Sequence, residues 1–326
     1  MKAPSGPTDT ELLVGGQALI EGVLMRSPGA YGIAVRRPDG SLAIQRGKVS
    51  PLGKRYPFLK LPLLRGIVVL FQSLFLGIQA LNFSALEAGV EKEPSGEKPA
   101  ASGWAVAGSM VMGLGLGVVV FLLVPLWLTE LAQRFVFGEM PSLAFNLFDG
   151  ALRGLFFLAY IVVISRMDDI HRVFQYHGAE HKVVFAWESK GPLSVDNART
   201  QSRLHPRCGT SFLLFVLLVS IVLFALIPKT APFLVKFGGR LLLVPVIAGI
   251  SYEVLRLTAK RAGSPLFALL VAPGLMLQRI TTQEPTDDML EVGIAALEEA
   301  LREDGLMEEV VPVTSAPVVL SAAALP

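Results

Sequence analysis

Four stretches of the chain are apolar for about as long as a helix needs to cross a bilayer, roughly 20 residues. Trp104 to Leu128 is uncharged throughout. Leu147 to Ser165 carries Asp149 and Arg153 near its start, Thr210 to Pro228 is uncharged, and Leu241 to Leu257 carries Glu253 and Arg256 near its end. Two further stretches have weaker patterns. Gly66 to Leu86 lacks charges, yet Gln72, Ser73, Gln79 and Asn82 fall within about half of the helix circumference, which suits a helix lying in the interface as well as one that crosses. Ala262 to Gln278 is short and interrupted by Pro265 and by Pro273 with Gly274, so it reads as re-entrant or interfacial.

Outside these stretches the period changes. Tyr31 to Gln45 alternates apolar and polar residues around Pro38-Asp39-Gly40, which predicts a β-hairpin with a glycine-containing turn. Thr286 is placed to cap a helix whose Leu290, Ile294, Leu297 and Leu301 form one apolar stripe, with Gly305 as its stop. Asp149 and Arg153, four apart, are expected to pair near the outer interface. Glu253 is expected to pair with Arg256, with metal ligation as the alternative. Gly113 and Gly117 lie inside an apolar span, where G-x-x-x-G signals close helix packing and not a nucleotide loop.

Charge distribution decides the topology. With the four stronger stretches as spans, residues 1–103 hold twelve Lys and Arg and residues 166–209 hold seven, all on one side. The opposite loops hold Arg134, then Lys229, Lys236 and Arg240. The positive-inside rule therefore puts both termini and the 166–209 loop on the cytoplasmic side of a cell inner (cytoplasmic) membrane and leaves 66–86 unspanned. The expected fold is an α-helical integral membrane protein with about four transmembrane helices, one or two interfacial or re-entrant helices and a small N-terminal β-containing module. Its divisions are a β module at 1–65, the interfacial helix at 66–86 and a linker at 87–103. A first helix pair at 104–165, the His-rich loop at 166–209 and a second pair at 210–257 follow. A re-entrant segment with the amphipathic helix at 258–305 and a disordered tail at 306–326 close the chain.

Composition agrees: 52% of the 326 residues are hydrophobic and 17% charged, with a mean hydropathy of +0.56, too apolar for one soluble core. A net charge of +2 gives no footprint for nucleic acid. The single cysteine excludes an intrachain disulfide, and the first residues read as no cleavable signal peptide.

All four histidines, His171, His177, His181 and His205, fall within 35 residues of the 166–209 loop, which also holds Cys208. His177-Gly178-Ala179-Glu180-His181 is an H-x-x-E-H, and on a helix its two histidines share one face and can reach one zinc ion. Glu180 beside them could take a proton from a water that the ion activates. A third ligand is needed, and His205 or Cys208, in an H-x-x-C just before a span, is the nearest source. Three outcomes stay open: a polar interfacial face without metal, a closed structural site of His177, His181, His205 and Cys208, or a catalytic site with an open position. His171 lies off the favoured face.

Together, GGQALIEGVLMR (Gly15 to Arg26), Arg65-Gly66, YHGAEHK (Tyr176 to Lys182), HPRCGTSF (His205 to Phe212) and QRITTQEPTDDMLEVGIAAL (Gln278 to Leu297) resemble the YqhQ-like family of bacterial membrane proteins. The likeness runs from about Gly15 to Leu301. It implies a shared fold and a predicted metal-dependent enzyme, and it supplies no substrate. The positions matching its motifs are Gln17, Glu21 and Arg26, then His177, Glu180, His181 and Lys182, then His205, Arg207 and Cys208. Gln17, Glu21, Arg26, Lys182 and Arg207 are expected around the site or against substrate. The function expected is a zinc-dependent hydrolase at the cytoplasmic membrane face, acting on a peptide or lipid-linked substrate. Its rival is a scaffold or regulator with a structural metal, whose C-terminal helix docks a membrane-protein or peptide partner.

Overall fold

The computed structural model describes residues 14–49, 56–89, 103–260 and 265–307. The predicted linker and tail, like the first thirteen residues, lie for the most part outside these. Four antiparallel strands open the chain: β1 (Gly15–Leu19), β2 (Gly22–Arg26), β3 (Ala30–Arg36) and β4 (Leu42–Lys48), ordered β1-β2-β3-β4. The predicted hairpin is β3–β4, and Gly40 takes φ +84° in its turn. The β1–β2 hairpin was not expected, because its turn is Ile20-Glu21, and Glu21 sits at φ +52° where glycine or asparagine is usual.

Both faces of the sheet are covered, so β2 and β3 read as nearly continuous apolar runs. One face packs Leu19, Leu24, Ile33 and Val35 against α1 (Leu64–Glu87), with Ala80 at the contact. Next along the chain are α2 (Gly103–Val118), a π-helical turn at Val119–Leu123, α3 (Val124–Ala132) and a second π turn at Gln133–Phe137. Then come α4 (Ser142–Ile164), α5 (Asp168–Glu188), the short α6 (Val195–Thr200), α7 (Gly209–Phe224), α8 (Phe233–Lys260), α9 (Pro265–Thr281) and α10 (Asp287–Glu303). The other sheet face packs Val23, Met25, Ala34 and Ile44 against α5 and α10, through Tyr176, Val183, Leu290 and Leu297. Sheet, α5, α6 and α10 thus form one module. The 166–209 segment is mostly helix.

Thr286 takes the N-cap position of α10 without a side-chain capping bond, and Gly305 ends the helix as the pattern predicts, at φ +73° with the Leu306 N–H returning to the Leu301 carbonyl. Burial goes beyond the single stripe, because Val292, Gly293, Ala296 and Ala300 are buried too. A side chain at Gly32 would collide with the Ala296 carbonyl, so backbone meets backbone there. The helix expected to dock a partner is instead a core helix of its own module, and its apolar stripe is already occupied.

By length and composition four helices suit a membrane: Leu64–Glu87, Val111–Phe137, Ser142–Ile164 and Phe233–Thr258. The number agrees with the sequence reading and the membership does not. α7, at sixteen residues, is short, yet it packs between α4 and α8 within the bundle. α1 is long enough, but its last turns lie on the sheet: Gly77 meets Gln17, Ser73 accepts from Arg26 at 3.2 Å, and Glu87 pairs with Arg37 at 2.6 Å. Its opposite side carries Phe71, Leu74 and Phe75, each more than half exposed, as a helix lying on lipid would.

Several local expectations change. α9 continues through Pro273, and Gly274 lets α7 approach, since a Cβ there would strike Ser211. Glu253 pairs with Arg65 of α1, at 2.6 Å to Nε and through a second oxygen to Nη2, in place of Arg256. Asp149 does pair with Arg153, but both are buried and Arg240 of α8 joins them at 2.7 Å. Among the described residues, no atom lies within 4 Å of where a Cβ would stand at Gly113 or Gly117, so no close helix contact is made there.

Candidate metal centre

α5 begins with Asp168 and Asp169 in its first turn, favourable at a helix N-terminus, and its spacing sets His177 and His181 one turn apart. Their rings meet edge to face with centroids 4.5 Å apart. Gly178 between them has no room for a side chain, because the Gln283 carbonyl occupies that place. Gln283 is held by its N–H donating to the Phe174 carbonyl at 2.8 Å, so the connection from α9 to α10 is laid across α5 at the histidines.

The tautomers follow from the neighbours. His177 Nδ1 lies 2.8 Å from the Thr281 carbonyl and His181 Nδ1 lies 2.5 Å from the Arg203 carbonyl. A carbonyl oxygen only accepts, so each Nδ1 carries the proton and each Nε2 has a free lone pair. Both lone pairs belong to one group with Cys208 Sγ, all ligand atoms lying within 4.8 Å of one another. Cys208 Sγ is 3.3 Å from His177 Nε2, while His181 Nε2 is buried with no hydrogen-bond partner. Burial holds His181 below the ordinary histidine range and so keeps it neutral. Cys208 is the N-cap of α7, where the Thr210 N–H and hydroxyl both reach its sulfur, at 3.4 and 3.3 Å.

Glu180 is also buried, and one of its oxygens lies 3.4 Å from His181 Nε2. Loss of water pushes its carboxyl up, against the pull of His177, His205 and the Gly16 N–H. Gly16 is the contact that brings β1 down on Glu180: a Cβ there would lie 2.7 Å from Glu180 Cγ. Two histidines, a cysteine and a carboxylate are a donor set that zinc takes in tetrahedral sites. Nδ1 bonds to carbonyls are the usual outer support of such ligands.

His205 is not part of this group. Its Nδ1 accepts from the Arg207 N–H at 3.3 Å, its Nε2 faces Glu188 at 3.5 Å, and its ring packs on Phe185 at 4.4 Å. Gln278 fixes its backbone from both sides, accepting from the His205 N–H at 2.8 Å and donating to its carbonyl at 2.9 Å. His171 is exposed and apart. Of the surrounding residues, Arg207 pairs with Glu188 and Lys182 donates to the Arg199 carbonyl and pairs with Glu284. Glu21 pairs with Arg172 and accepts from Tyr176 at 3.3 Å. Gln17 and Arg26 face α1. Gly16, Arg203, Glu188 and Thr281 were not singled out from the sequence. Gly16 and Thr281 do lie in its quoted motifs, but Thr281 and Arg203 act through backbone carbonyls, which no side-chain pattern reveals.

A family model described as "Protein of unknown function (DUF1385)" matches residues 61–303. The chain belongs to the DUF1385 family. Within reach of this family is a curated relative, "Uncharacterized protein YqhQ" of Bacillus subtilis (strain 168), 38% identical over 309 residues that cover 90% of this chain and 94% of that protein. The DUF1385 match begins after the sheet. No solved structure matches the chain. This DUF1385 protein is an apolar, multi-helix membrane protein of a family without an assigned function.

Proposed function

We propose that the protein is a zinc-dependent hydrolase of the inner membrane, with its ion held by His177, His181 and Cys208 and with Glu180 as general base. The observation that carries this is the convergence of two lone-pair Nε2 atoms and one sulfur within 4.8 Å, with both Nδ1 atoms anchored on carbonyls. A zinc ion held there would supply a Lewis acid and would acidify a water toward neutrality. Glu180, its carboxyl pushed up by burial and pulled back by His177 and His205, would serve as the group that takes a proton from the attacking water and returns it to the leaving group. β1 excludes solvent above Glu180 through the Gly16 contact. Arg207, held by Glu188 next to the site, offers a cation to a carboxylate or phosphate of a peptide or lipid-linked substrate.

The positive-inside count supports a cytoplasmic module with both termini on that side. A reporter active only in the cytoplasm is expected to work when fused after Lys190 and to be silent after Lys229.

Burial favours one rival. His181 is 2% and Glu180 5% exposed, as in a closed site whose metal only holds the module together. Glu180→Gln separates the two. The hydrolase reading expects wild-type zinc content and failure to restore the phenotype of a strain lacking the gene. Full restoration would leave the structural reading.

A further inference from the structure

Deep in the helical bundle the chain holds more buried positive than negative charge. Asp149 of α4, 1% exposed, accepts from Arg153 one turn on and from Arg240 of α8 at 2.7 Å. Among the described residues no other carboxylate pairs with either arginine, so two cations share one anion. Arg153 also donates to the Ser220 hydroxyl at 2.6 Å, and both guanidinium groups stand over the Phe224 ring, 4.6 and 5.0 Å from its centre. Even so, Nε of each arginine is buried without a partner. Arg153 is 6% and Arg240 2% exposed, and ionisable groups in such a setting mark ligand or ion sites by default.

A cavity of about 400 Å³ lies against this cluster, in the size range of ligand pockets. Arg153 and Ser220 line it, and apart from the Tyr160 hydroxyl its other lining side chains, among them Phe157, Leu217 and Val244, are hydrocarbon. The π-helical turn Val119–Leu123 supplies Phe121 and Leu122 to one wall, and Phe121 meets Tyr160 edge to face at 5.5 Å. Such turns occur often at functional sites.

Depth selects the occupant. Arg153 is eleven residues into α4, about 16 Å along the helix and so near the middle of a core about 30 Å thick. A small hydrated anion would have to shed its water to arrive there, and a phospholipid headgroup is fixed at the interface. A fatty acid has a small carboxyl head and reaches this depth from within the bilayer. We infer that the cavity between α4, α7, α8 and the first π turn binds one long-chain fatty acid, with its carboxylate at Arg153 and its chain along the apolar wall toward Leu213. This shares no residue with the metal centre and stands or falls separately from it.

The test is radiolabelled oleate binding to the full chain in nanodiscs of zwitterionic lipid. Wild type is expected to bind one oleate saturably and to bind oleyl alcohol at least tenfold more weakly. Arg153→Gln, which leaves Asp149 and Arg240 as a neutral pair, is expected to lose at least tenfold in affinity, and Leu217→Trp to lose it by filling the cavity. Absence of saturable oleate binding, equal affinity for the alcohol, or wild-type binding by Leu217→Trp would each overturn the inference, as would displacement of oleate by phosphatidylglycerol at equal concentration. If Arg153→Gln does not fold, the alcohol comparison and Leu217→Trp still decide.

Discussion

The module and the bundle both bury polar groups, and they lack opposite things. In the module, His177, His181 and Cys208 bring their ligand atoms together with Glu180 beside them, an arrangement that in the proposed function a cation completes. In the bundle, Arg153 and Arg240 share Asp149 and keep donors without partners, an arrangement completed by an anion. The lesson is that a buried cluster's own imbalance says which class of ligand its chemistry suits, before any substrate is known. α1 packs on both the sheet and α8, and the two clusters share no side chain.

The sharpest way to break that comparison is Asp149→Asn. It leaves two buried guanidinium groups without a carboxylate, and breaking a buried pair in this way costs about 3–5 kcal/mol. The expected result is loss of the folded protein from detergent extracts on size-exclusion chromatography. Wild-type recovery would show that the cluster is not the buried triad described. Gly178→Ala strikes the module instead. Its methyl group collides with the Gln283 carbonyl, and overpacking of this kind costs about 1–3 kcal/mol. A lowered melting temperature together with weaker zinc retention is expected, while oleate binding stays unchanged; the reverse pattern would mean that the regions are coupled.

The smallest effect belongs to Arg65→Gln. Its pair with Glu253 ties α1 to α8, but both side chains are about one quarter exposed, and such pairs contribute under about 1 kcal/mol. A melting temperature within a few degrees of wild type is expected. A large drop would make α1 a structural strut of the bundle and not a helix resting on lipid.

The grouping of candidate ligands in the module was legible because they come from short motifs: H-x-x-E-H fixes His177, Glu180 and His181 on one helix, and Cys208 caps the next apolar helix. The choice between His205 and Cys208 was not legible. It depends on the turn at His205-Pro206-Arg207, where Nδ1 is used by the Arg207 N–H and the ring goes to Phe185. The bundle's cluster was half legible. Asp149 and Arg153 are one turn apart in sequence, but Arg240 is 91 residues from Asp149 and arrives only through the packing of α8. α10 misled for a related reason: an amphipathic stripe does not say whether its cover comes from another protein or from a sheet built more than 250 residues earlier. Separation along the chain hid Arg240 and the cover of α10, while at His205 and at the β1–β2 turn the local pattern itself was ambiguous.

The central claim is that His177, His181 and Cys208 hold one ion. Cobalt(II) exchanged into the purified protein tests it most directly, because a sulfur ligand gives an intense ligand-to-metal charge-transfer band. The account predicts one metal per chain, a band that disappears in Cys208→Ser, loss of the metal in His177→Ala with His181→Ala, and retention in His205→Ala. A protein without stoichiometric metal, or a spectrum unchanged in Cys208→Ser, would contradict it.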